Sequence, residues 1–222
     1  MADELHEVQP SDVGFLETLK VYKNSAVFKV KICERLCVMK VYHDRGPSEW
    51  DPTDYEVNLF VCESSAYRRM KDKGLCRQGI IPEFYGTITK IQPSLWPDLH
   101  MFLHDKLPPN AVLIEYIPDA QVLDLSNYSR DCLVVLRDTL DKIHQAGVLH
   151  GDPMPRNMMI SSRRDRALWI DFDSAQTFSD ILSEYQKVWF EEEDGMMDYF
   201  IKALAEDYEG GQLSHTYSYY YH

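Results

Sequence analysis

Three polar side chains stand at fixed offsets in the second half of this sequence. Asp152 precedes Asn157 by five residues and Asn157 precedes Asp171 by fourteen, within H-G-D-P-M-P-R-N at 150–157 and W-I-D-F-D at 169–173. This spacing is typical of phosphoryl transfer, in which the protein mainly positions groups and neutralises charge. The elements around these residues must bring them together.

The first part of the chain is predicted to form a β-hairpin. Phe28, Val30 and Ile32 alternate with polar residues, and residues 36–42 form a second run with the same period. Lys40 lies on this second strand. On a buried face a lysine is costly unless an anion neutralises it, whereas on an exposed face it is an ordinary solvated residue.

A helix is predicted from about residue 53 to residue 73. Apolar residues recur there at steps of three and four, and Gly74 follows as a stop signal. Glu56 and Glu63 are seven residues apart and so share roughly one face. Either could reach Lys40 if this helix packs on the sheet.

Two further strands are predicted at about 84–91 and 111–117, the second ending in L-I-E-Y-I-P. A helix at 131–146 leads directly into the H-G-D stretch. An apolar hairpin then places Asp171 at a strand end near Asn157. The order of elements therefore favours one site built from distant parts of the chain.

These features resemble the protein-kinase-like superfamily. Its catalytic loop carries H-x-D-x-x-x-x-N, its metal-binding Asp opens a D-F motif, and a strand lysine lies upstream. The E-S-S-A-Y-R-R-M stretch, which contains Glu63, is similar to the matching helix of small-molecule kinases. H-G-D and D-F-D are similar to the aminoglycoside and choline kinases and to the minimal RIO-type kinases, and the chain resembles small fungal kinase-like proteins.

The resemblance covers about residues 21–178 and implies an α+β, bilobal protein-kinase-like fold with a truncated helical C-lobe. The expected division is an N-terminal arm at 1–19 and a single domain at 20–222, with an N-lobe at about 20–117, a hinge at about 115–120 and a C-lobe at about 121–222.

The resemblance also implies a role for each site residue. Asp152 would accept the proton of an attacking hydroxyl, and Arg156 would stabilise the transferred phosphoryl group, although alone it is equally a surface arginine of a loop. Asn157 would be catalytic and, with Asp171, would bind Mg²⁺. The cofactor ATP would be bound by Lys40, held by Glu63, together with Val27, Val38, Glu115, Ile117 and Met159.

Two departures from the kinase pattern favour the rival function of a pseudokinase, a nucleotide-binding or scaffolding module without transfer activity. The loop Lys20 to Val27, expected to cover the phosphates, has no glycine, and only about fifty residues follow Asp173.

One or two helices are expected within 179–207, and the acidic run Glu191 to Asp194 between them is expected to be a solvated turn.

Composition limits which partners and which cellular compartment the sequence favours. The 222 residues carry a net charge of −13, which argues against nucleic-acid and anionic-membrane partners. No apolar run is long enough for a membrane helix, and the N-terminus lacks an apolar signal region. Five cysteines without a C-x-x-C pair are expected to be reduced thiols in the cytoplasm.

The sequence therefore predicts a cytoplasmic, monomeric phosphotransferase that moves the γ-phosphate of Mg-ATP to a hydroxyl of a small molecule or a protein. The alternative is a pseudokinase that acts as a nucleotide-binding or scaffolding module.

Overall fold

The structure is a computed structural model that describes residue 5, residues 8–161 and residues 166–218. The strands are β1 Val13–Val21, β2 Ser25–Ile32, β3 Arg35–Tyr42, β4 Phe84–Ile88, β5 Asn110–Glu115, β6 Ala120–Val122, β7 Val148–Leu149, β8 Met158–Ser161, β9 Arg166–Trp169 and β10 Gln176–Thr177. The α-helices are α1 Leu59–Asp72, α2 Arg130–Gln145, α3 Glu184–Gly210 and the short α4 His215–Ser218. Helices and antiparallel sheets combine in a mixed α+β architecture, as predicted.

The first five strands form one antiparallel sheet in the order β1-β2-β3-β5-β4. The predicted hairpin is confirmed, with Phe28 opposite Met39 and Val27 opposite Lys40. The predicted alternation is also confirmed, because Phe28 and Met39 pack with Trp96 in the core on one face. The opposite face, which carries Val27 and Lys40, is turned towards α1 and the second half of the chain.

Helix α1 begins later than predicted. The side chain of Asn58 accepts the Val61 N–H at 3.2 Å and caps the helix, so helical structure starts at Leu59. Glu56 precedes the cap, and its carboxylate accepts the two backbone N–H groups that follow it. The prediction that Glu56 shares a helical face with Glu63 is therefore wrong.

Helix α2 runs as predicted and stops before Gly147, which has a φ of +77°. The predicted hairpin after the H-G-D stretch is also present, with Met158 opposite Trp169. Its turn, residues 162–165, lies outside the described residues. The Trp169 indole N–H donates to the Leu136 carbonyl at 2.9 Å and ties the hairpin to α2.

A single helix, α3, continues through the region where a solvated turn was predicted. The acidic run Glu191 to Asp194 lies inside it, so that prediction is wrong. Phe190, Met197 and Phe200 form its buried stripe, and Glu193 lies on the same stripe. The charges of the acidic run suggested that its side chains would be exposed to solvent. A carboxylate such as that of Glu193 can nevertheless be buried where hydrogen-bond donors surround it.

Strand β1 takes in residues 13–19, which the sequence assigned to an arm. It pairs with β2 along its length, and backbone pairing of this kind needs no strong apolar pattern in the side chains. Residues 1–4 and 6–7 of the predicted arm lie outside the described part. In that described part, no helix is long and apolar enough to cross a membrane.

Candidate active site

A cleft of about 340 Å³ lies between the five-stranded sheet and the β8–β9 hairpin. Small-molecule sites commonly measure roughly 300–1,000 Å³. The cleft walls combine apolar side chains with a few charged ones. All the residues predicted to bind the cofactor line this cleft, namely Val27, Val38, Lys40, Glu63, Glu115, Ile117 and Met159.

Three carboxylates surround the ammonium group of Lys40. Its Nζ contacts Asp171 Oδ1, lies 2.9 Å from Asp173 Oδ2 and lies 3.6 Å from Glu63 Oε2. Lys40 is 8% exposed. Burial acts to lower the pKa of Lys40, but the three carboxylates outweigh it and raise the pKa above its ordinary value. The lysine therefore stays charged, and the protein itself supplies the anions.

Glu63 is the helix glutamate that reaches Lys40, as predicted. It is 2% exposed, and the hydroxyl of Tyr42 donates to its Oε2. Tyr42 follows Lys40 by two residues and so shares its face of β3. Burial raises the pKa of Glu63 to about 7, against the opposing effect of the lysine charge.

Asp171 and Asp173 flank the buried ring of Phe172 in a short 3₁₀ turn. Asp171 has φ 67° and ψ 61°, a left-handed conformation that is uncommon for a residue with a Cβ, although Asp adopts it more readily than most. Burial opposes ionisation of Asp171, but Lys40 lowers its pKa. Burial, together with the charge of Asp171, raises the pKa of Asp173.

The predicted catalytic residues lie together in the loop before β8. Arg156 Nη2 donates to both carboxylate oxygens of Asp152, at 2.6 and 2.8 Å. Asn157 Nδ2 donates to Asp152 Oδ2 and to its carbonyl, both at 2.8 Å. The Asn157 carbonyl accepts the Ile170 N–H at 3.0 Å, which joins this loop to the chain just before Asp171.

His150 supports the loop from inside the protein. It is fully buried, and its ring centroid lies 5.1 Å from that of Trp169 and 4.6 Å from that of Phe172. Its Nδ1 accepts the Asp152 N–H at 3.3 Å, and its Nε2 lies 3.1 Å from the Ile170 carbonyl oxygen. Burial lowers the pKa of His150, so the neutral ring donates through Nε2 and holds the loop in place.

Gly151 has no room for a side chain. Its φ is +78°, and a Cβ there would overlap the carbonyl oxygen of Ser174. A residue with a side chain therefore has no space at position 151 unless the backbone moves.

Glu193 of α3 was not predicted as a site residue. Its carboxylate accepts the His150 N–H at 2.9 Å and the Gly151 N–H at 2.7 Å, and it lies 2.6 Å from His144 Nε2. Burial opposes ionisation, but the hydrogen bond with His144 and the neighbouring donors lower the pKa of Glu193. The sequence signal was its place on an apolar stripe, three residues after one phenylalanine and four before a methionine.

Glu115 at the end of β5 and Ile117 just after it were predicted to bind the cofactor. The Glu115 N–H donates to the Glu83 carbonyl at 2.8 Å, and the Ile117 carbonyl accepts the Ala120 N–H at 3.2 Å. The Glu115 carboxylate lies 3.2 Å from Arg166 Nη1, which fixes the end of β5 against β9.

Asp171, which lines the cleft, and Asn157, in the loop joined to the chain just before it, carry oxygen donors that fit Mg²⁺. The carboxylate of Asp171 and the amide oxygen of Asn157 are hard ligands, and the amide nitrogen of Asn157 is turned to Asp152. Across the described residues, no group of three or more His, Cys, Asp or Glu side chains could hold a metal ion by itself. Since Mg²⁺ is usually bound by one or two carboxylates plus phosphates and water, these residues fit it together with a phosphate-bearing ligand.

A second cavity, of about 500 Å³, borders the same loop from the other side. Gly151, Pro153 and Asp173 form part of its wall, and Tyr55 and Trp189 add two aromatic rings. The D-F-D turn thus separates two cavities, with Asp171 on one and Asp173 on the other.

No protein-family model matches the sequence, and a search of curated proteins returned no match.

Proposed function

We propose that this protein binds Mg-ATP in the cleft and transfers the γ-phosphate to a hydroxyl group. The observation that carries the proposal is the convergence of Lys40, Glu63 and Asp171 on one cleft, beside the loop of Asp152 and Asn157. Lys40 and Asp171 are 131 residues apart in sequence, and a structural scaffold has no need to bring them together.

The architecture supports a bilobal protein-kinase-like fold with a short helical C-lobe. A five-stranded antiparallel sheet with one packed helix precedes the connection at residues 116–119, and the helical half follows it. The cleft lies between these halves. No activity follows from architecture alone, so the proposal depends on the site.

The residues of the chain would divide the reaction among them. Lys40 would bind phosphate oxygens, and Glu63 would keep its ammonium group in place. Asp152 would take the proton of the acceptor hydroxyl while the hydroxyl oxygen forms a bond to the γ-phosphorus. At the same time, the bond between that phosphorus and the oxygen that bridges it to ADP would break. When bound at Asn157 and Asp171, Mg²⁺ would neutralise charge on the phosphates.

The second cavity supports a small acceptor. It borders Gly151 and Pro153, which flank Asp152 in sequence, so a ligand there would lie near the proposed base.

Thermal melting tests nucleotide binding. Mg-ATP at a hundredfold excess over its dissociation constant should stabilise the wild type by about 2.7 kcal/mol. Asp171→Asn keeps the shape of the side chain but removes its charge, so it should lose most of the Mg²⁺-dependent part of this stabilisation. Glu191→Asn, on an exposed face of α3, is the matched control and should respond like the wild type. A wild type that millimolar Mg-ATP leaves unchanged would refute the proposal.

A nucleotide-binding module without transfer is the second candidate. One contact favours it, because Arg156 holds both carboxylate oxygens of Asp152, so the proposed base is engaged within the protein. Incubation with γ-labelled ATP and a fractionated lysate separates the two functions. Mg-ATP stabilisation without hydrolysis or a labelled acceptor would favour the module.

A further inference from the structure

The β1–β2 hairpin forms the mouth of the cleft. Leu19, Lys20, Tyr22 and Val27 line it from this side. Lys20 lies opposite Val27 in the register of the two strands. Both side chains therefore reach the cleft from the same end of the sheet.

The paired strands of the hairpin use their backbone groups internally. β1 and β2 remain paired up to Val21 and Ala26, and the Tyr22 N–H donates to the Ser25 carbonyl at 2.8 Å. Residues 20–27 include no glycine that would let the backbone come close to a ligand. An anion that lies against these paired strands must therefore be bound mainly by side chains.

Two lysines line the cleft within the described residues, and they differ in their surroundings. Lys40 is neutralised by three carboxylates. Lys20 is exposed, and among the described residues no carboxylate forms an ion pair with it; its Nζ lies 4.9 Å from the centre of the Tyr22 ring. A cation–π contact of this kind steers a lysine without neutralising it. Lys20 thus keeps a charge to offer to a ligand.

We propose that Lys20, steered by Tyr22, is a side-chain anchor for the polyphosphate of the nucleotide. It replaces the backbone N–H groups that a glycine-rich loop would supply. The inference rests on the proposed binding of ATP in this cleft and adds the residue that holds its phosphates at the mouth. It concerns the phosphates alone, so the nucleoside part should bind independently of Lys20.

Affinity measurements with Mg-ATP and with adenosine test this assignment. Lys20→Gln should weaken Mg-ATP binding about tenfold, the effect of losing one charge-assisted hydrogen bond, and should leave adenosine binding unchanged. The remaining affinity for Mg-ATP should also depend less on salt. Lys20→Arg, which keeps the charge, should restore most of the affinity.

Lys23→Gln is the matched control, since Lys23 is an exposed lysine of the same hairpin turn that does not line the cleft. Equal Mg-ATP affinities for Lys20→Gln and Lys23→Gln would overturn the assignment. So would an equal loss of Mg-ATP and adenosine binding in Lys20→Gln. A wild type that binds neither ligand would instead refute the proposed function itself and this inference with it.

Discussion

Replacing Glu193 with glutamine would remove one negative charge from beneath the loop of His150 and Gly151 while keeping the size of the side chain. The carboxylate now accepts two backbone N–H groups and contacts His144. A hydrogen bond to a charged group contributes about 1.5–3 kcal/mol, against about 0.5–1.5 kcal/mol for a neutral one. Three such bonds therefore predict a loss of about 3 kcal/mol in the free energy of unfolding.

Urea denaturation at pH 7 measures this loss. Glu191→Gln, on an exposed part of the same helix, is the control and should change stability by less than about 0.5 kcal/mol. If the proposed function holds, Glu193→Gln should also lower turnover more than ATP affinity, because the loop that carries Asp152 is displaced while the cleft remains. Equal denaturation midpoints for the two variants would show that the buried carboxylate does not stabilise the loop.

The pH dependence of the same variant provides a second check. The folded-state pKa of Glu193 is lower than its ordinary value of 4.5. Its contribution to stability is therefore complete above about that pH and is lost as the pH falls through the folded-state pKa. The difference between the wild type and Glu193→Gln should shrink on acidification, and a constant difference would contradict the assigned ionisation.

Three further predictions concern glycine and aspartate positions. Gly151→Ala should destabilise the protein by at least about 2 kcal/mol, because the added Cβ overlaps the backbone of Ser174. Gly195→Ala, within α3 and with no atom near the added Cβ, should stabilise the protein by roughly 0.5–1 kcal/mol. Urea denaturation measures both changes, and changes in stability of the same sign would contradict the reasoning. Asp173→Asn should increase the affinity for metal-free ATP about tenfold, because a like charge near the phosphates costs on the order of 1–3 kcal/mol. Calorimetry measures this affinity, and an unchanged value would show that Asp173 does not repel the phosphates. Burial opposes ionisation of Asp207, but hydrogen bonds from residues 214–216 lower its pKa below 3.8. Asp207→Asn should therefore cost about 1–3 kcal/mol of unfolding free energy at pH 7 and progressively less below about pH 3.8. Acid titration of the wild type and the variant, followed by circular dichroism, tests this trend.

Local patterns in the sequence were sufficient for several elements. The alternation of Phe28, Val30 and Ile32 identified a strand, and the apolar steps before Gly147 identified helix α2. Such patterns depend on residues close in sequence, which explains their reliability. The same patterns placed the start of α1 too early, since the cap at Asn58 depends on one hydrogen bond that periodicity does not register.

The composition of the candidate site was readable from the sequence because motif spacing restricts which side chains can meet. The structure gathers around one cleft the residues predicted to bind the cofactor, and it groups Asp152, Arg156 and Asn157 in one loop. Periodicity alone left Glu56 and Glu63 as candidates to reach Lys40, and the resemblance favoured Glu63. The structure agrees with that choice, because the helix cap at Asn58 leaves Glu56 outside the helix and Glu63 lies 3.6 Å from Lys40.

The electrostatic arrangement was decided by tertiary structure alone. Asp173 reaches Lys40 across 133 residues, and Glu193 reaches the Gly151 N–H across 42. No local pattern reports such contacts, since each depends on how separate elements pack and on which buried donors need an acceptor. The sequence by itself determined which chemical groups are present and in what order. The packing of the sheet, α1 and α3 determined which of those groups are charged, paired and held in place.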